Sequence, residues 1–304
     1  MQKLLTRRNF MESAAIFAVN SAPALKLVGP ILSFPTPYNA DLRIDLPCVR
    51  RMIELGRQAG SSVFTLTAGN NQYDRLTYEE IKQLTRFTVE AAGGRGMTIA
   101  ATGPWWTGQA VEYARYAKSV GADALQVLLP PQGDDDSFFE HMRTIARATP
   151  LPLVLQAQPS MALLEKLVTL ESFVALKEEF TTDYTVPVFR RFGGRLNIFA
   201  GGTKARFLSY LPYGMRAYYS AFATFAPSVA VRFWRAVEKK DIDAAGAIVL
   251  KYDVPFFERW SHPFWRATLE VFGLGGRFVR PPERALSDQQ IKEAAAFYRG
   301  LGLL

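Results

Sequence analysis

From Gly29 onward the chain repeats one pattern eight times: a short apolar run, a turn, then a longer segment of helical periodicity. The runs fall at 30–34, 62–66, 97–101, 124–129, 153–156, 173–177, 196–200 and 217–220. They are nearly continuous in apolar residues, as strands buried on both faces must be. Between them lie helical segments at 47–59, 78–92, 109–120, 136–148, 162–170, 183–192, 204–211 and 229–237. Gly60, Gly121 and Gly214 each follow a helix shortly before the next run, where a chain leaving a helix adopts a left-handed conformation. Strand–helix alternation predicts a parallel sheet covered by helices, and eight units close such a sheet into a (β/α)8 TIM barrel. A doubly wound open sheet is the alternative, but its nucleotide-binding form wants a Gly-x-Gly-x-x-Gly after the first strand, which this sequence lacks.

The barrel is assigned to residues 27–238. Beyond it the strand signal ends, and 241–257, 263–272 and 287–301 read as helices of a C-terminal extension, 239–304. Its aromatics, Phe256, Phe257, Trp260, Phe264 and Trp265, are expected in the core or at a subunit contact. Residues 1–26 read as an addition to the fold. Arg7-Arg8, Phe10, an apolar segment and Ala22-Pro23-Ala24 resemble a twin-arginine export signal, with an amphipathic helix as the alternative. A cytoplasmic protein is expected, export being the other possibility.

Composition narrows the chemistry. A single cysteine, Cys48, leaves no internal disulfide or cysteine-built metal site. His141 and His262 stand far apart with no ligand spacing, and Asp134-Asp135-Asp136 precedes a helix that such acids cap. No metal and no cofactor are therefore expected. The formal charge of +8 is scattered over pairs such as Arg190-Arg191 and Lys239-Lys240 with no long run. A solvated surface and the steering of an anionic small molecule account for it equally well, so the charge does not discriminate, and no nucleic-acid partner is expected. No apolar stretch reaches the roughly 18 residues of a membrane span.

In such barrels chemistry sits at the C-terminal ends of the strands. There the sixth run ends at Lys177, within Ala175-Leu176-Lys177-Glu178-Glu179. A lysine leaving a buried strand loses part of its hydration, which lowers its pKa and frees the amine as a nucleophile. Alternatively it buries its stem and reaches solvent. A nucleophilic lysine without metal, histidine or cysteine points to Schiff-base chemistry with a carbonyl substrate.

These residues resemble the dihydrodipicolinate synthase / N-acetylneuraminate lyase superfamily, from about Gly29 to the C-terminus. The likeness is carried by Pro30–Tyr38 (PILSFPTPY) with Ile44-Asp45, Thr67-Ala68-Gly69 leading to Leu76-Thr77-Tyr78-Glu79-Glu80, Gly121-Ala122-Asp123, Ala175-Leu176-Lys177-Glu178 and Arg280-Pro281-Pro282. It implies that Lys177 forms the Schiff base and that Thr67 is the first threonine of the family's Gly-Thr-Thr-Gly-Glu loop. A 2-oxo acid substrate and a homotetramer are implied likewise.

The chain departs from the pattern at several places. Ala68 and Asn70 replace the loop's second threonine and its glutamate, and Pro130-Pro131-Gln132 replaces a Pro-Tyr-Tyr. Gln156-Ala157-Gln158-Pro159 replaces a Tyr-Asn-x-Pro whose tyrosine relays protons, and the arginine that follows it in the family is absent. An amide cannot titrate usefully in that role. The catalytic residues expected are Lys177 and Thr67; the substrate-binding residues are Ala68, Asn70, Gln132, Gln156, Gln158, Gly201 and Ser220. Amides both donate and accept, which suits a polyhydroxylated, sugar-acid-like substrate. The function expected is a Schiff-base lyase, aldolase or dehydratase, distinct from a true dihydrodipicolinate synthase. The alternative is a degenerate barrel that binds a small molecule or serves as a structural protein. An ion pair between Lys177 and Glu178 or Glu179, or a mouth plugged by Trp105 and Trp106, would favour that alternative.

Overall fold

The computed structural model describes residue 25 and residues 27–304, so the twin-arginine-like motif lies outside the described residues. Eight parallel strands close in chain order into a barrel. They are β1 (Gly29–Ser33), β2 (Val63–Thr65), β3 (Met97–Ala101), β4 (Ala124–Leu128), β5 (Leu153–Gln156), β6 (Phe173–Glu178), β7 (Asn197–Ala200) and β8 (Ala217–Tyr219). The helices that follow them are α1 (Leu46–Gln58), α2 (Tyr78–Ala92), α3 (Thr107–Ser119), α4 (Asp135–Ala148), α5 (Met161–Leu167), α6 (Thr182–Phe192), α7 (Lys204–Tyr210) and α8 (Pro227–Glu238). Thr77 and Glu80 form a reciprocal capping box on α2, and Asp134, one of the acids expected to cap its helix, does so with Ser137 on α4. Gly60, Gly121 and Gly214 have φ of 83°, 92° and 108°, the left-handed region that a side chain would disfavour.

Strand periodicity sorts the residues. Ile31, Val63, Ala124, Val154, Ala175, Phe199 and Ala217 pack with one another inside the barrel, while Leu32, Phe64, Leu125 and Leu176 join the clusters under the helices. Because successive side chains alternate, the next inward position on each strand lies two residues on. That layer is polar: Ser33, Thr65, Gln126, Gln156, Lys177 and Tyr219. On the outer side α1 approaches β1 closely at Gly56, where a Cβ would come within 2.8 Å of the Leu32 side chain.

After the barrel come α9 (Ile242–Ile248), a π-helical turn (Val249–Asp253), α10 (Val254–Glu258), α11 (His262–Val271) and α12 (Asp288–Gly300). The segment expected as one helix over 241–257 is therefore interrupted. Pro255 has no N–H to continue the ladder, and Asp253 turns inward to form a buried ion pair with Lys204 of α7. Asp253 Oδ2 also accepts the Lys204 backbone N–H at 2.9 Å. Farther on, Arg280 donates to both carboxylate oxygens of Glu80, at 2.5 and 2.8 Å, and to the Leu42 carbonyl. These contacts seat the C-terminal helices against the barrel.

Candidate active site

Lys177 sits in the polar top layer of the barrel with only 5% of its side chain exposed. Its position follows from register: Ala175 faces the interior, so the residue two farther along does too. Its Nζ lies 4.8 Å from the centroid of the Tyr219 ring and 3.0 Å from Glu179 Oε2. Burial pulls the Lys177 pKa below its ordinary value, and the Glu179 carboxylate opposes that shift. Of the two carboxylates after the lysine, Glu178 is committed elsewhere. Its Oε1 accepts the Phe180 N–H at 2.7 Å and the Thr185 hydroxyl at 2.8 Å, and pairs with Arg206 at 3.0 Å.

Glu179 is 40% exposed and leans over the amine from the rim. Gly201, at the end of β7, makes room for it: a Cβ there would come within 2.5 Å of the Glu179 side chain. On the opposite wall the Tyr219 hydroxyl donates to Gln126 Oε1 at 3.0 Å, and Gln126 Nε2 donates to Gln156 Oε1 at 2.6 Å. Burial raises the Tyr219 pKa, so this phenol is held neutral. The loop after β2 is fixed from below. Asn71 Oδ1 accepts the Thr67 N–H at 2.7 Å, Thr67 Oγ1 accepts the Asn70 N–H at 3.0 Å, and Asn70 Nδ2 donates to Ser33 Oγ at 2.7 Å.

A cavity of about 230 Å³ opens above this layer, lined by Ser33, Asn70, Glu179, Gly202, Tyr219, Ala221 and, from the C-terminal helices, Phe257, Trp260 and Trp265. Asn70 is thus the expected binding residue that lines it directly. Gln156 and Thr67 lie beneath, held by the bonds above, and Ser220 Oγ is buried with no hydrogen-bond partner among the described residues. Gln132 is exposed on the β4–α4 loop, away from the cavity. Gln158 is also exposed and lines a second, open cleft of about 530 Å³ that shares Glu179 and includes Thr181, Thr203 and Arg206. Trp105 packs on Tyr73, Tyr78 and Tyr113, and Trp106 is 71% exposed, so neither plugs the mouth. Of the five aromatics expected in the core or at a subunit contact, Phe256, Phe264 and Trp265 are buried in the C-terminal core and Phe257 packs against it, while Phe257, Trp260 and Trp265 also line the cavity. The sequence offers Glu179 only as an ion-pair partner of Lys177, and gives no sign of Gln126 or Tyr219 beyond the strand parity that could have found both.

The architecture is a (β/α)8 barrel carrying a buried lysine at the catalytic end of its sixth strand. Residues 26–296 match the dihydrodipicolinate synthetase family, and the chain belongs to that family. Among relatives, a Streptomyces coelicolor protein named probable 5-dehydro-4-deoxyglucarate dehydratase 1 is 28% identical, over 93% of this chain and 94% of its own. A 4-hydroxy-tetrahydrodipicolinate synthase of Gluconacetobacter diazotrophicus is 27% identical, over 91% and 97%. In fold, N-acetylneuraminate lyase from Fusobacterium nucleatum superposes with a TM-score of 0.82 at 19% identity, covering 90% of this chain and 99% of that one. Dihydrodipicolinate synthase from Oceanobacillus iheyensis does so with 0.80 at 20%, covering 90% and 97%.

Proposed function

We propose that this protein is a Schiff-base-forming lyase, an aldolase or dehydratase, acting on a 2-oxo acid derived from a sugar acid. One observation carries the reading: a desolvated amine, Lys177, at the mouth of a barrel of this family. The amine condenses with the substrate carbonyl, and the resulting iminium draws electrons from the neighbouring carbon. Thr67 and Ala68 form the loop beside the reacting end. Asn70, Gln156 and Ser220 offer amide and hydroxyl groups, and Gly201 leaves the space that Glu179 fills. The sugar-acid reading, as against that of a 4-hydroxy-tetrahydrodipicolinate synthase, draws on relatives named as 5-dehydro-4-deoxyglucarate dehydratases, which stand beside relatives of similar identity named as synthases. Gln156 in place of a titrating tyrosine supports the same separation.

A second reading draws on the Lys177–Glu179 ion pair, which suits a barrel that binds a small molecule without turnover. Incubation with a panel of 2-oxo acids and borohydride, followed by intact mass, separates the two. The lyase reading predicts a reduced adduct that disappears in Lys177→Ala. No adduct across the panel, or one that survives the substitution, contradicts it and leaves the binding reading.

A further inference from the structure

We infer that Glu179 is the catalytic acid–base group of this site, moving protons between the Lys177 amine and the carbon beside the imine. The inference rests on the lyase reading above. The other polar groups of the mouth are already engaged. Tyr219 is spent on Gln126, with its hydroxyl 3.0 Å from the amide oxygen. Gln126 and Gln156 are amides bonded to each other. Asn70 and Ser33 form a neutral pair at 2.7 Å. Glu178 is held by Arg206, Thr185 and the Phe180 N–H. Glu179 alone, among the described residues lining the cavity, is a carboxylate, and its Oε2 lies 3.0 Å from the reacting nitrogen. That is within hydrogen-bond reach, the first requirement of a proton-transfer group.

The surroundings leave this carboxylate able to move. Gly201 supplies no side chain against it, and no hydrogen bond besides that to Lys177 holds it among the described residues. It therefore touches the amine while keeping one face to the cavity.

The proton balance closes on these two residues and the substrate. Glu179 takes one ammonium proton, leaving the Lys177 lone pair to attack the carbonyl carbon as the C=O π pair moves to oxygen. Glu179 returns that proton to the oxygen, takes a second from nitrogen, and delivers it to the hydroxyl, which leaves as water. The product is the iminium, with Glu179 again a carboxylate. It then removes a proton from the adjacent carbon; the C–H pair becomes the C=C bond and the iminium π pair returns to nitrogen, giving the enamine. Reprotonation by the same group reverses this step. The ion pair that suits a silent barrel is, in this account, the resting state of the proton shuttle.

The test follows methyl-proton exchange of pyruvate in D2O by NMR, alongside borohydride trapping of the same samples. Wild type is expected to give both the adduct and exchange. Glu179→Gln, close to isosteric and partly exposed, is expected still to be trapped at long incubation, which also reports an intact site. Its exchange should fall by about 10²-fold or more, the usual contribution of a positioned acid–base group. Glu179→Asp should recover part of it. Equal exchange in Glu179→Gln and wild type, or a wild type that is trapped without exchange, overturns the role of Glu179 and spares the lyase reading. A wild type trapped by neither pyruvate nor any other acid of the panel overturns the lyase reading and this role with it.

Discussion

Lys177 shows how a single side chain can trade stability for reactivity. An ammonium in the top layer of the barrel has lost most of its water, and its one carboxylate partner stands half in solvent. Removing one partner of a fully buried pair would strand the other charge, but Glu179 stands partly in solvent and can be hydrated, so losing the desolvated ammonium relieves its cost. Lys177→Met is therefore expected to be inert in trapping but more stable, by about 1 kcal/mol, in denaturant unfolding. The sign of the pH dependence agrees. A folded-state pKa below the unfolded one means that the cost is fully present below the folded pKa and is relieved as pH rises toward the unfolded value. The gain from Lys177→Met should thus shrink toward alkaline pH. A variant less stable than wild type at neutral pH would mean that the ion pair is a net stabiliser.

At the scale of elements, most of the barrel was legible because it rests on local periodicity. Apolar runs of fixed parity, the capping acid at Asp134 and left-handed glycines all state their structure within a few residues. Lys177 was legible for the same reason: it interrupts the pattern of its own strand. What escaped depends on distant partners. Gln132 and Gln158 lie beyond their strand ends, where the chain has already turned outward, and position alone does not give direction. Phe257, Trp260 and Trp265 reach the cavity from two helices far along the chain and the turn between them, and such aromatics look alike whether they fill a core or roof a site. The break at Asp253 was hidden likewise, since only the fold reveals that Lys204 waits for it. That pair is almost fully buried on both sides. Removing one partner strands the other charge, so Asp253→Leu is expected to cost about 3–5 kcal/mol by chemical denaturation. A loss below about 1 kcal/mol would show that Lys204 finds solvent or another partner.

At the scale of the molecule, the C-terminal helices do more than extend the barrel. Arg280 ties them to Glu80 and Leu42, and their aromatics complete the cavity over Lys177. Site and extension are thus one unit. Among the described residues no helix is long and apolar enough to cross a membrane. Family resemblance leads us to propose a homotetramer, and light scattering after size exclusion is expected to give four times the chain mass of 34.0 kDa. A species of one chain mass would contradict that assembly.

Where carbon becomes attached to this protein separates a Schiff-base lyase from a silent barrel. Borohydride reduction in the presence of a 2-oxo acid, digestion and peptide mapping by mass spectrometry locate that bond. The prediction is one modified residue, Lys177, in the peptide that spans β6. Modification spread over exposed lysines, or none at all with every acid tried, would contradict it.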